Sequence, residues 1–254
     1  MKNIAAAFVF FTRLPFWRLK SFQIPAGYFS RVINYWAVVG WLTGGTMAVI
    51  LWLSAQILPY QVAVILALLS RLLITGALHE DGLADFLDGF GGGNNKEKIL
   101  AIMKDSHIGT YGVIGLILYF LLFYLLLSYL SLHIACIAIL IADPLSKFIS
   151  SQITRFLPYA RTAETSKSGT VYDKMSPGAF ITGCIFGLLP LLLIPNLKWL
   201  IAILFPVVTF FGLIYLMRKK IGGYTGDCCG ALFLLCELSF YTGIMFILYS
   251  LSEY

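Results

Sequence analysis

Residues 61–93, "QVAVILALLSRLLITGALHEDGLADFLDGFGGG", run from a membrane-length apolar stretch into four carboxylates and end on glycines. Glu80, Asp81, Asp85 and Asp88 stand in a chain with only twelve acidic residues. The reading of this stretch decides the fold: it is either a span that carries its own acidic face, or a soluble helix with an apolar flank.

Composition selects the first. Of 254 residues, 59% are hydrophobic and 12% are charged, where a soluble domain carries about 25% charged residues. Too little polar surface exists to cover a soluble core, and disorder is excluded by the same numbers. A spanning helix needs roughly 20 apolar residues, and such segments occur at 34–57, 61–79, 111–130, 132–150, 179–195, 197–217 and 229–250. The expected fold is an all-α polytopic transmembrane helix bundle of about seven spans. It forms a single integral-membrane domain over 1–254, with an N-terminal interfacial segment at 1–31. "MKNIAAAFVFFTRLPFWRLK" lacks a small-residue cleavage site, so it reads as a retained amphipathic segment, not a signal peptide.

The connections "LPYQ", "YLSLH" and "IPNLKW" are short and hold one Lys between them. The basic residues gather elsewhere: Lys2, Arg13, Arg18, Lys20 and Arg31 before the first span; Lys96, Lys98 and Lys104 in 80–110; Arg155, Arg161, Lys167 and Lys174 in 151–178; Arg218, Lys219 and Lys220 in 218–228. Seven spans put all four regions on one side, and the excess of Lys and Arg makes that side cytoplasmic. The net charge of +6 is thereby explained by topology, and no nucleic-acid partner is expected. The five cysteines show no C-x-x-C or Cys/His spacing and read as reduced membrane residues.

Nothing between 77 and 88 forbids a helix, so the second span is expected to continue past the bilayer until Gly89 and Gly91–Gly93 stop it. At about 100° per residue, Asp81, Asp85 and Asp88 then share one face. Two carboxylates about 5 Å apart repel by roughly 3 kcal/mol at an effective dielectric near 20, and the C-terminal end of a helix is the wrong end of its dipole for them. A solvated face, protonation or a divalent cation would relieve this. The cation reading is favoured, because hard oxygen ligands suit Mg²⁺, which keeps several waters and shares itself with substrate phosphates. Gly82, Ala84 and Gly89 leave room for a bulky phosphorylated ligand. Asp227, at the start of the last span, lies at the same level and completes the metal set Asp81, Asp85, Asp88 and Asp227. Two-metal displacement at phosphorus is a known solution, so the site reads as a phosphoryl-group transferase centre.

Other polar residues weigh less. Arg71, within the second span, is expected to face the bundle interior and is kept as a substrate-binding candidate. Glu237 lies inside the last span, where a carboxylate is a functional hypothesis by default, with a structural hydrogen bond as the equal alternative. Asp143 and Lys147, at i, i+4, read as an ordinary helix ion pair. His79 and His133 have no ligand spacing.

"FFTRLP", "HEDGLADFLDG", "KILAIMKDSHIGTYG" and "GGYTGDCCGALFLLCEL" resemble, in that order, the signature blocks of the cobalamin synthase (adenosylcobinamide-GDP ribazoletransferase) family. The resemblance covers residues 10 to 240. It implies a Mg²⁺-dependent transfer of the adenosylcobinamide phosphate moiety from adenosylcobinamide-GDP to α-ribazole or its 5′-phosphate, releasing GMP, late in cobalamin biosynthesis. It further implies a prokaryotic cytoplasmic (inner) membrane with the site facing the cytoplasm; self-association into a homo-oligomer stays open. Carried onto this chain, Asp88 is the general base, with Asp81 and Lys104 beside it as catalytic candidates. Arg155, Arg161, His107 and Asp105 are candidates for binding substrate phosphates, and Glu80 backs the metal site without ligating. Two alternatives remain. A CDP-alcohol phosphotransferase would show D-G-x-x-A-R followed by G-x-x-x-D-x-x-x-D. An ion-coupled transporter would place carboxylates near the bilayer midplane beside broken helices.

Overall fold

All seven apolar segments become helix, as hydrocarbon requires of a backbone that must satisfy its own N–H and C=O groups. The computed structural model describes residues 2–19, 23–161 and 171–250; Lys20 and Lys167 fall outside them. The helices are α1 Lys2–Phe11, α2 Trp36–Ser54, α3 Tyr60–Thr75, α4 Leu78–Gly92, α5 Lys96–Lys104, α6 Thr110–Ser128, α7 Leu132–Ser151, α8 Ile153–Phe156, α9 Pro177–Leu188, α10 Leu204–Ile221 and α11 Gly226–Ser250. Turns of 3-10 helix at Ala26–Tyr35 and Leu197–Ile203 lead into α2 and α10. Among the described residues, five helical stretches are long and apolar enough to cross a membrane: Ala26–Ser54, Thr110–Ser128, Leu132–Phe156, Leu197–Ile221 and Gly226–Ser250. The bent pair α3–α4 makes a sixth, and the shorter apolar helix Pro177–Leu193 fills the place of the remaining expected span.

The continuous helix expected from 61 to 88 does not form. Gly76 (φ 65°, ψ 34°) and Ala77 (φ 55°, ψ 24°) are both left-handed, and α4 leaves α3 at 90°. Left-handed backbone costs a non-glycine residue about 1–2 kcal/mol, so something must hold Ala77 there. The N-terminal segment does so in part: Arg13 N–H donates to the Ile74 carbonyl at 2.6 Å, and the Arg13 side chain fills the space where a Cβ on Gly76 would project. The region 80–110, expected as a loop, is therefore mostly the helices α4 and α5.

Small residues set two close helix contacts. A Cβ on Gly40 would lie 2.6 Å from Pro144 Cα, and one on Gly44 2.9 Å from Asp143 Cβ; this small-x-x-x-small face seats α2 on α7. A Cβ on Gly82 would lie 3.1 Å from Asp227 Cα, and one on Gly230 3.0 Å from the His79 carbonyl, so the starts of α4 and α11 touch almost backbone to backbone.

Among the described residues, buried ion pairs join Arg71 to Glu237 and Lys147 to Asp143, with Glu80 a longer 3.8 Å from Arg71. Arg71 Nη1 donates to both Glu237 oxygens at 2.6 and 2.7 Å, and Nη2 donates to Tyr119 Oη at 2.7 Å. Glu237 thus takes the structural role that its sequence reading left open. Lys147 pairs with Asp143 as expected from i, i+4 spacing, but at 0% exposure and tied to Thr43 on α2, so it is a core element and not an ordinary surface pair.

The four basic regions meet at one end of the bundle. Arg31 pairs with Asp173 at 3.0 Å, Tyr224 N–H donates to the Pro158 carbonyl at 3.0 Å, and Arg161 Nη2 donates to the Leu100 carbonyl at 2.8 Å. This one-sided assembly is the layout inferred from loop length and charge.

Candidate active site

At that end a cavity of about 200 Å³ opens between α1, α2, α4, α11 and the residues Tyr159, Arg161 and Tyr172. Each element contributes for a local reason. The corner at Gly76–Ala77 restarts the helix, so Glu80 and Asp81 fall in the first turn of α4. Gly226 begins α11 and puts Asp227 in its first turn. Asp81 and Asp227 both line the cavity, with Arg161 and Thr225 beside them; Thr225 Oγ1 donates to Asp227 Oδ2 at 3.3 Å. Two helix N-termini thus point positive ends into one space, an arrangement that favours anions and phosphate groups.

The remaining wall is aromatic. Phe10 and Phe11 from α1, Trp36 from α2, His79 from α4, and Tyr159 and Tyr172 line it. Neighbouring rings touch: Phe10–Tyr172 at 6.5 Å, Phe10–Phe11 at 4.9 Å and Tyr159–Tyr172 at 6.0 Å between centroids. Burial pushes the Tyr172 phenol well above its ordinary pKa, which keeps it a neutral hydroxyl at physiological pH. Sequence reasoning missed these aromatics as site residues. The one signal for them was the placement of Phe10 and Phe11 in "FFTRLP", the first block of the family resemblance.

Of the predicted metal set, the structure brings two of four to the cavity. Asp85, one turn beyond Asp81, is buried and does not line it. Asp88 accepts Gly109 N–H at 2.7 Å and Gly112 N–H at 2.9 Å, one on each oxygen, and so caps the N-terminus of α6. Asp88 does not line the cavity, and each of its oxygens already accepts one backbone N–H. Among the described residues, no group of three or more His, Cys, Asp and Glu side chains is gathered closely enough to hold a metal ion. A cation that takes one or two carboxylates and completes its shell with water and substrate phosphate fits the pair Asp81 and Asp227; a four-carboxylate cage does not.

The other candidates scatter. Arg161 is in the cavity wall. Arg155 lies outside it, exposed, its guanidinium 4.6 Å from the Phe180 ring centroid. Lys104, at the end of α5, and Asp105 and His107, between α5 and α6, are exposed. There the His107 backbone N–H and ring Nδ1 meet Asp105 Oδ1 at 3.0 and 2.7 Å, and the backbone bond first of all holds the Asp105 carboxyl below its usual pKa. Arg71 faces the interior as expected, but Glu237 and Tyr119 occupy it and it does not reach the cavity. Glu80 is 3% exposed and lies 3.8 Å from Arg71. The broken helix that a transporter would need is present, yet its corner sits where the basic regions converge, and the deep charges are paired.

Fold and cavity together define a multi-pass helical membrane protein with a carboxylate, arginine and aromatic site at one end. The family model described as cobalamin-5-phosphate synthase matches residues 3–245, and the chain belongs to that family. Among its relatives, the adenosylcobinamide-GDP ribazoletransferase of Shewanella putrefaciens is 36% identical over 241 residues, 94% of this chain and 91% of that protein. The one of Leptospira interrogans is 37% identical over 253 residues, 95% of this chain and 94% of its own. No solved structure matches.

Proposed function

We propose that the chain is an adenosylcobinamide-GDP ribazoletransferase acting at the last stage of cobalamin biosynthesis, with Mg²⁺ and with its site at the cytoplasmic face of a prokaryotic inner membrane. The observation that carries the chemistry is the meeting of Asp81 and Asp227, on two helix N-termini, with Arg161 in one cavity. A pyrophosphate is the ligand such a site suits: amide dipoles and a guanidinium oppose its charge, and the carboxylates would hold the Mg²⁺ that accompanies it. When bound, Mg²⁺ would withdraw charge from the phosphoryl oxygens under attack.

The proposed reaction uses these groups as follows. A hydroxyl of the α-ribazole ribose attacks the phosphorus attached to cobinamide, forming a new P–O bond while the P–O bond to GMP breaks. The hydroxyl proton goes to Asp81 or Asp227, the carboxylates within the cavity, and Arg161 stabilises the departing phosphate. Excess Lys and Arg in the four converging regions supports the cytoplasmic orientation.

The test is GMP release by the purified chain in liposomes given adenosylcobinamide-GDP, α-ribazole and Mg²⁺, beside Asp81→Asn. Product from the wild type, lost with EDTA and in the variant, supports the reading. A folded wild type that releases no GMP refutes it.

A further inference from the structure

The outer face of α10 changes character within one turn. Phe210, Ile214, Met217 and Ile221 bury one side of the helix in the bundle. Away from them, Val208, Phe211 and Tyr215 are 71%, 50% and 67% exposed, and the next residues on that face, Arg218 and Lys219, are exposed cations. Positions 208, 211, 215, 218 and 219 follow a helical period, so an apolar strip ends directly on charge.

A second element widens the patch. Phe156, at the end of α8, is 43% exposed, and its ring centroid lies 5.6 Å from those of both Phe210 and Phe211. Arg218 Nη2 donates to the Phe156 carbonyl at 3.1 Å, and Lys219 Nζ lies 6.0 Å from the Tyr215 ring centroid. Arg155, beside Phe156, and Lys220 are exposed as well. Among the described residues none of these four cations is in an ion pair. Topology accounts for the sign of such charges, but not for their gathering from α8 and α10 at the head of one aromatic strip. Lys96 and Lys98 on α5 show the contrast: both are exposed, yet α5 exposes no large apolar side chain.

Continuity decides the partner. A cytosolic protein with an acidic surface meets Arg218 and Lys219 but not the hydrocarbon-facing strip below them. An anionic phospholipid meets both, its phosphate opposing the cations and its acyl chains lying along Tyr215, Phe211 and Val208. Tyr215 and Lys219 are about 6 Å apart along the helix axis, about the depth of one headgroup layer.

We propose that Arg218 and Lys219, with Phe156, Phe211 and Tyr215 below them, form a docking surface for an anionic phospholipid. It is independent of the proposed reaction: its ligand comes from the bilayer, and none of its residues lines the catalytic cavity.

The experiment counts bound lipid and needs no turnover. The purified full chain in detergent is titrated with phosphatidylglycerol or with phosphatidylcholine of the same acyl chains, and native mass spectrometry reads the bound fraction. Phosphatidylglycerol binds about tenfold or more tightly than phosphatidylcholine. Arg218→Gln/Lys219→Gln weakens phosphatidylglycerol about 25-fold, roughly fivefold per cation removed, and leaves phosphatidylcholine within about twofold. Lys96→Gln/Lys98→Gln, which removes the same charge from α5, keeps the wild-type affinity. Equal affinity of the wild type for the two lipids overturns the proposal. So does an equal loss in the α5 variant, the mark of diffuse charge attraction. Displacement of phosphatidylglycerol by soluble glycerol 3-phosphate overturns it too, since a phosphate alone then suffices. If the double variant does not fold, Lys219→Gln decides, because Lys219 is exposed and its loss spares the Arg218 hydrogen bond. A loss of about fivefold is expected there, and unchanged affinity overturns the assignment.

Discussion

Asp81 and Asp227 occupy equivalent places in two different helices: each lies in a first turn, and both face one cavity. The corner at Gly76–Ala77 makes this so. A helix running unbroken from 61 to 88 would hold Asp81 near its negative end; restarting at Leu78 puts Asp81 at a positive end. The same break sends Asp88 to the N-terminus of α6, so the repulsion along the acidic face is relieved by two separate helix dipoles.

Because Asp81 and Asp227 share one ligand in the proposed site, their losses overlap. Asp227→Asn and Asp81→Asn each lower kcat on the order of 10²–10³-fold, the size of removing one charge-stabilising group, and the double variant falls little further. Steady-state GMP release for the three variants checks this; strictly additive losses would separate the two carboxylates functionally.

Asp88→Ala acts on stability. Two N–H groups at the start of α6 lose a charged acceptor, and burial of Asp88 (7% exposed) keeps water from replacing it. A charged hydrogen bond contributes about 1.5–3 kcal/mol, so a loss of that order is expected, with Asp88→Asn losing less. Thermal unfolding in detergent measures it. Activity of the folded fraction, assayed well below the transition, survives better than in Asp81→Asn.

Breaking the interior pair is costly. Arg71→Met leaves Glu237 (0% exposed) without its cation and destabilises the protein by about 3–5 kcal/mol. Arg71→Met with Glu237→Met recovers most of that loss. The readout is the yield of monodisperse protein and its melting temperature. A single variant as stable as wild type would mean the pair contributes nothing.

Gly76→Ala disturbs the corner twice over. Its φ of 65° strains any L side chain by about 1 kcal/mol or more, and the new Cβ would sit 2.5 Å from Arg13 Nε. Lower stability and lower kcat together are expected, since the corner aims Asp81. Gly27→Ala, with no atom within 4 Å of the added Cβ, is the matched control and leaves both unchanged.

The spans were legible because seven apolar stretches separated by charge leave little choice in hydrocarbon, and the one-sidedness of the basic regions followed from the same pattern. The acidic cluster was legible as a site, but its internal assignment was not. Gly76 inside an apolar window looks like a tolerated helix residue, and Ala77 carries no signal for left-handed backbone; part of what holds the corner is Arg13, more than sixty positions away. Once the turn was missed, Asp85 and Asp88 read as neighbours of Asp81 in one cage. The aromatic wall was hidden for a similar reason. Phe11, Trp36, Tyr159 and Tyr172 come from three distant segments with no shared period, and scattered aromatics in a membrane protein look alike until they are folded together.

Arg71 and Glu237 are separated by 166 positions, which constrains how the protein is made. As the ribosome feeds the chain into the bilayer, α3 arrives long before its counter-charge has been translated. An arginine mid-helix raises insertion free energy by about 2.5–3.5 kcal/mol, so the early intermediate carries that burden until α11 enters. The final helix therefore serves as a latch: one element brings Asp227 to the cavity and neutralises the interior. A chain that stops before Glu237 leaves Arg71 with only the longer 3.8 Å contact to Glu80 and lacks the helix that carries Asp227.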